Sequence, residues 1–270
     1  MGFSVLMSVY AKEKPEYLKI SLDSVLNQTL PPDEIVLVID GPLTIELEEV
    51  VKQFQKKTKV LKVVRLEENQ QLGRALEYGL EKCSNELVAR MDTDDIALPD
   101  RFQKQYEYLM EHPKIDVLGG LIEEFDSADE NYRKIKNMPI HKADIERYSR
   151  YRNPVNHMTV MVRRSKVQLA GGYRHFPFLE DYDLWTRMLA LKCEFANLGE
   201  VLVRARTERN IYDRRGGLKY CKQYLKLRKQ QRELGLLNMK EYMVAIILTV
   251  AMTLQPSWLR KTMYQRVLRR

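Results

Sequence analysis

Glu86-Leu87-Val88-Ala89-Arg90-Met91-Asp92-Thr93-Asp94-Asp95 is a β run that empties into three carboxylates within four residues. Like charge concentrated at the end of a buried strand is costly unless something positive neutralises it. A hard divalent cation would do so, and oxygen ligands with neither His nor Cys favour Mg2+ or Mn2+. With so few carboxylates, the remaining coordination positions fall to water and to a ligand such as a diphosphate. The same residues also read as an acidic turn capping the next helix, with Asp95 or Asp100 as the cap.

Upstream and downstream, similar runs recur at Ser4–Tyr10, Glu34–Ile39, Val60–Leu66 and Ile115–Leu118. Helical periodicity fills the gaps. Leu18, Leu22, Val25 and Leu26 share one face of a helix that Pro15 can open. Ile45, Val50, Val51 and Phe54 mark a second, with Thr44 as its N-cap; Leu72, Leu76, Leu80 and Cys83 mark a third; Phe102, Tyr106 and Leu109 mark a fourth. Alternation of this kind predicts an α/β fold, a mixed, mostly parallel sheet flanked by helices. Ligands bind such sheets at the carboxyl ends of the strands. The loops to inspect are therefore Tyr10–Pro15, Asp40-Gly41-Pro42 and Asp92–Asp95. No Gly-x-Gly-x-x-Gly follows the first strand and no P-loop is present, so neither a dinucleotide cofactor nor a P-loop triphosphate site is expected.

Beyond residue 126 the pattern is less regular. Asp126–Asn131 reads as a polar loop, Thr159–Arg163 as a strand, Gly171-Gly172 as a turn, and Glu180–Lys192 as a helix with Leu184, Met188 and Leu191 inward. From about 218 the chain reads as helical to its end, broken near Gln255-Pro256-Ser257.

The 270 residues carry a net charge of +8, unevenly placed. Residues 201–270 hold 17 basic against 4 acidic side chains, whereas the rest of the chain is mildly acidic. That asymmetry points to a polyanion, an anionic membrane surface, or simply a solvated basic face. Three well-separated cysteines, Cys83, Cys193 and Cys221, exclude a disulfide scaffold or zinc ribbon and suit a reducing compartment. The amino terminus lacks the pattern of a secretion signal. Tyr242–Leu254, a stretch of 13 residues, falls short of the roughly 20 that a helical span needs.

A second acidic constellation, Glu180-Asp181, falls in the first turn of its helix. The helix dipole alone would stabilise carboxylates there. The sharper reading is a general base that takes a proton from a sugar hydroxyl.

Taken in order, Ser4–Tyr10, Ser21–Thr29, Glu34–Gly41, Asn69–Leu76, Asp92–Asp95 and Glu180–Trp185 resemble the family 2 glycosyltransferases over roughly residues 3–210. The resemblance implies a GT-A fold, Rossmann-like in its nucleotide site, and an inverting transfer from a nucleotide-diphosphate sugar. On matching positions it implies that Asp40 contacts the nucleobase, Asp92 lies by the ribose, Asp94 binds the metal (Mn2+ or Mg2+), and Asp181 is the base. Val9, Tyr10, Arg74 and Thr93 join the nucleotide-sugar site, and Arg206 is the best phosphate contact, although it also reads as a surface charge. Glu180, Asn156 and His157 are assigned to the acceptor side; a lone histidine is more often structural. One departure is visible. Many members read Asp-Asp-Gly-Ser after the second strand, whereas this chain has Ile39-Asp40-Gly41-Pro42, so the nucleobase contact rests on one carboxylate.

Residues 1–215 are thus expected to form the catalytic domain and 216–270 a helical, membrane-associating extension. Arg204, Arg206, Arg209, Arg214 and Arg215 flank Arg206–Tyr212, which resembles a mobile closing segment. After Pro256, Trp258, Leu259, Met263 and Val267 share one helix side with Arg260, Lys261, Arg266, Arg269 and Arg270 supplying charge, the composition of an interfacial helix. Docking on the catalytic domain, or a homodimer contact, would use the same residues. The expected partners are a UDP-sugar, UDP-galactose among them, a lipid-linked saccharide acceptor and an anionic membrane, on the cytoplasmic face of a bacterial inner membrane. No nucleic-acid partner is expected, because the tail lacks a reading module. A nucleotidyltransferase is the enzyme alternative, and a basic-tail binding protein the non-enzyme one.

Overall fold

The computed structural model describes residues 2–207 and 216–256. Its frame is a nine-stranded mixed sheet among the described residues. Four strands, β1 (Phe3–Val9), β2 (Glu34–Asp40), β3 (Leu61–Leu66) and β4 (Leu87–Arg90), run parallel in the order β3-β2-β1-β4. Helices α1 (Pro15–Leu26), α2 (Ile45–Lys57) and α3 (Gln71–Lys82) make the crossovers. The chain continues through β5 (Ile96–Ala97), α4 (Arg101–Glu111), β6 (Ile115–Asp126), β7 (Asp129–Lys136), α5 (Lys142–Ser149), β8 (Met161–Arg163), α6 (Arg164–Leu169), α7 (Glu180–Ala190) and β9 (Glu194–Arg206). Strand β8 runs antiparallel to both neighbours, β4 and β6, and joins the first four strands to the rest. Parallel to β6 lies β9, whose other edge holds β5 antiparallel.

Side-chain alternation along β1 and β2 divides the core between the two sheet faces. Val5, Met7 and Val9 with Ile35, Leu37 and Ile39 pack under α1, α2 and α4. Leu6 with Val36 and Val38 faces α3, α6 and α7, where Leu76, Val167, Leu184 and Trp185 are buried. Burial on both faces is what a mostly parallel sheet requires. Pro15 opens α1 as expected, and Thr44 caps α2 by accepting from the Leu47 N–H.

Several expectations are corrected. Asp126–Asn131 is not a loop: β6 continues past Leu118 to Asp126 and turns back into β7. The turn is closed by Asp126, whose Oδ1 accepts from the Ala128 N–H at 2.8 Å. Polar side chains hid this hairpin, because β7 pairs only with β6 and buries little. His157–Thr159 is a single 3-10 turn, so the strand there is only Met161–Arg163. Helix α7 stops at Ala190, which leaves Leu191 48% exposed, and Ile45 at the start of α2 is 76% exposed.

The C-terminal segment forms two helices, α8 (Leu218–Glu233) and α9 (Met239–Leu254), separated by a turn at Gly235. Buried Arg228 on α8 donates to the carbonyls of Arg150 and Tyr151, and Gln230 donates to Asp183 on α7. These bonds dock α8 on α7 and on the segment that follows α5. An Asn238–Glu241 capping box starts α9, and Ala245, Thr249 and Thr253 are its buried side. Its other face presents Met243, Ile247 and Leu254 to solvent. No helix among the described residues is long and apolar enough to cross a membrane. The closing segment with Arg209, Arg214 and Arg215, and the helix expected after Pro256, lie outside the described residues.

Candidate active site

The carboxyl ends of β1, β2 and β4 open on one cleft of about 490 Å³. Tyr10, Asp40, Asp92, Thr93, Asp94 and Arg206 all line it. Each is placed by backbone the fold has already fixed. Asp40 ends β2, and its Oδ1 accepts from the Gln70 N–H at 2.6 Å. Burial raises its pKa, and that hydrogen bond holds it down in part. Gly41 follows at φ +83°, where a Cβ would lie 2.7 Å from the Asn69 nitrogen, so only glycine fits the turn.

The acidic turn is fastened from three sides. Ser21 of α1 donates to the Asp92 carbonyl at 2.8 Å. Arg206, the last residue of β9, donates its backbone N–H to Asp95 Oδ1 at 2.8 Å and its Nε–H to the Asp94 carbonyl at 3.0 Å. The Arg206 guanidinium also lies 3.7 Å from the Tyr17 ring centroid, a cation–π contact that holds it at the cleft wall. Thr93 Oγ1 sits 2.9 Å from Glu13 Oε2. The helix-capping reading of the acidic turn is not supported, because Asp100 makes no side-chain cap to α4 and Asp95 bonds across to β9.

Asp92, Asp94 and Asp95 each offer an oxygen within 4.8 Å of the others. Burial, then Asp92 and Glu13, push the Asp94 carboxyl up to about 7, and Asp95 is raised well above its ordinary range by burial and by Asp94. Three hard oxygen donors side by side, with Asp94 and Asp95 disfavoured as bare anions, fit a divalent cation. Asp94 is the candidate ligand, with Asp92 and Asp95 beside it; Asp95 Oδ1 is already engaged by Arg206.

Behind the turn is a group that the sequence reading did not single out. Arg90, 3% exposed, pairs through Nη2 with Asp92. Its Nε and Nη1 are buried without a hydrogen-bond partner among the described residues. Its charge acts favourably on Asp94, Asp95, Glu180 and Asp181 alike. One buried guanidinium thus serves both acidic constellations. An Arg inside an apolar run was the available signal.

Glu180 and Asp181 stand in the first turn of α7. Asp181 accepts from its neighbour's backbone, the Tyr182 N–H, at 2.7 Å and from Asn153 Nδ2 at 2.5 Å. Burial raises both carboxyls, Glu180 to about 7 with Asp181 adding to it. Asn153 is a positioning residue that no sequence motif marks.

Four of the predicted site residues lie elsewhere, and Asp181 lines neither this cleft nor the smaller cavity beside it, which Glu180 does line. Val9 is a fully buried core side chain. Arg74 pairs with Glu77 on the outer surface of α3. His157 is buried with Nε2 2.9 Å from the Tyr173 hydroxyl, and burial drives its pKa well below the ordinary value. Asn156 is buried too, donating to the Gly120 carbonyl and accepting from Lys136 Nζ. Asn156 ties the loop before β8 to β6 and His157 ties it to Tyr173, and neither lines this cleft or the cavity beside it.

The family model described as Glycosyl transferase family 2 matches residues 4–168. The amylovoran biosynthesis glycosyltransferase AmsE of Erwinia amylovora is 44% identical over 83% of this chain and 84% of its own. An Escherichia coli protein, UDP-Gal:alpha-D-GlcNAc-diphosphoundecaprenol beta-1,3-galactosyltransferase, is 33% identical over 99% of this chain and 97% of its own. Among solved structures, S. aureus TarS 1–349 in complex with UDP-GlcNAc superposes with a TM-score of 0.71 at 18% identity, covering 99% of this chain and 76% of that one.

Proposed function

The chain belongs to glycosyl transferase family 2, and from that premise we propose that it moves a sugar, with inversion, from a UDP-sugar to a hydroxyl of a lipid-linked saccharide. The observation that carries this is Asp92, Thr93 and Asp94 of the acidic turn sharing one cleft with Asp40, in a fold whose helix α7 opens with Glu180 and Asp181. Asp40, Tyr10 and Asn69 form the end of the cleft suited to the nucleobase, and Asp92 the ribose side. Arg206, on the cleft wall at the Asp94 carbonyl, is the candidate contact for the diphosphate. Asp181 takes the acceptor's proton as the acceptor oxygen bonds to the anomeric carbon and the bond to the diphosphate breaks. A divalent cation held by Asp94, Mn2+ or Mg2+, supplies charge stabilisation for the departing diphosphate. The loop after β1 contains no glycine, which counts against a nucleotidyltransferase.

Galactose is the first donor to test, since the E. coli relative's name specifies UDP-Gal. Thermal shift with UDP-, GDP- and dTDP-sugars is expected to show stabilisation by the UDP series, larger with Mn2+ than in chelator. A preference for GDP- or dTDP-sugars would overturn the donor assignment.

The same reading puts residues 216–270 at an anionic membrane surface on the cytoplasmic side, within reach of a lipid-linked acceptor. The support is the basic excess of residues 201–270 together with the exposed apolar side of α9, two weak signals that add. Deleting residues from 239 onward is expected to abolish co-sedimentation with anionic vesicles. For the intact chain, binding should weaken with salt, because each basic residue near such a leaflet contributes about 1 kcal/mol. A full-length protein that ignores anionic vesicles and runs as a dimer would instead make α9 a subunit contact.

A further inference from the structure

A second cavity, of about 260 Å³, adjoins the donor cleft. Gln71 and Leu72 line both, so the start of α3 is their common wall. On its far side are Phe176, Phe178 and Glu180. We infer that this cavity binds a neutral pyranose ring of the acceptor, stacked on Phe178, with its hydroxyls turned to Glu180 and Gln71. The inference rests on reading the donor cleft and Asp181 as above.

Three observations converge on this cavity. First, Phe178 is 55% exposed, although a ring of that size is ordinarily buried. It stands edge-on to Tyr220 of α8 with centroids 5.6 Å apart, so the ring is held and not merely loose. Second, two non-glycine residues at this cavity adopt left-handed backbone, Gln71 at φ 67° and Phe178 at φ 69°. Strain of that kind persists only where the surroundings enforce it, and it collects at ligand sites. Third, the walls are held at a fixed separation. A Cβ on Gly73 would lie 2.3 Å from the Arg174 carbonyl oxygen, so α3 and the loop before α7 meet backbone to backbone. The gap beside that contact is therefore a built feature of the fold.

The ligand class follows from the lining. Among the described residues the lining holds no lysine or arginine, and its titratable side chains are His175 and Glu180, a poor match for a phosphate. An aromatic face next to a carboxylate suits a sugar ring, whose C–H face packs on the ring by dispersion and weak C–H contacts while its hydroxyl rim hydrogen-bonds. The volume is below that of drug-sized pockets, which fits one ring and not a chain. Glu180 lines this cavity, and Asp181, the residue assigned to the proton transfer, follows it in the first turn of α7.

The test uses saturation-transfer NMR on the full chain with UDP and Mn2+, and four probes: the methyl α-glycosides of glucose, galactose, mannose and N-acetylglucosamine. At least one is expected to bind. Phe178→Ala should weaken it at least tenfold, and Phe178→Tyr should restore it. UDP-induced thermal stabilisation should be unchanged in both variants, which shows that the fold and donor cleft are intact. Asp181→Asn should still bind the pyranoside, so a failed base assignment is distinguishable from a failed cavity. Absence of binding by every probe, or equal binding by Phe178→Ala, overturns the inference.

Discussion

Replacing Asp94 with Ala is expected to abolish sugar transfer while the protein remains folded. The cluster loses the candidate ligand to the cation, and with it several kcal/mol of stabilisation for charge on the leaving diphosphate, about 10³-fold or more in kcat. Folding should not suffer. A carboxyl pushed up to about 7 holds its proton more tightly in the folded chain than in the unfolded one, where its pKa is about 4. The stability it contributes is therefore present at low pH and lost as pH rises through about 7. In chelator at pH 8 the Ala variant should melt no lower than the parent. Wild-type stabilisation by Mn2+ should vanish in the variant. Full activity of the parent in chelator, or a variant that unfolds, would refute the assignment.

Asp181→Asn is expected to cut kcat on the order of 10²-fold or more while leaving donor affinity nearly unchanged. The amide is isosteric. It keeps an oxygen for the Tyr182 N–H, and a flip of the Asn153 amide restores the second bond. Only the proton acceptor is lost. Burial raises Asp181, and Glu180 beside it reaches about 7. The base works unprotonated, so kcat of the parent should decline as pH falls, beginning above the ordinary carboxylate range because burial raises Asp181. Glu180→Gln, which removes a neighbouring negative charge, should shift that decline to lower pH. If donor affinity collapses in Asp181→Asn, the residue belongs to the donor cleft or the fold.

The parallel half of the sheet was legible because burial on two faces leaves an unmistakable pattern in Val5–Val9 and Ile35–Ile39. The acidic turn was legible because strand ends in such sheets are ligand sites, and three aspartates there have few other reasons to exist. What stayed hidden depends on direction, not on composition. Arg74 sits between the inward-facing Gly73 and Ala75 of α3, and motif matching gave it a role that its outward direction denies. His157 and Asn156 looked available for chemistry, but both are occupied in holding the loop before β8. Arg90 was concealed by the opposite effect, a charge hidden in an apolar run. Its service to Asp92 emerges only once the strand register is known. Phe178 carried no sequence signal, since a phenylalanine in a loop reads as core until its backbone angle and exposure are seen.

The pairing of β9 with β6 bears on how the chain can be cut. The two strands pair from Ile115 and Glu194 through Phe125 and Arg206, with register shifts after Ile115, Gly120 and Leu121. A fragment ending where the family match ends, at residue 168, would keep β6 with β7 and β8 but lose β9 from its other edge. A 12-residue strand would then present its unpaired amides and carbonyls along a bare edge, an invitation to intermolecular pairing. The same cut removes Arg206, and with it the backbone donor on Asp95 that closes the acidic turn. Sequence similarity delimits the region of shared ancestry; the unit that folds and stays dispersed extends at least to the end of β9.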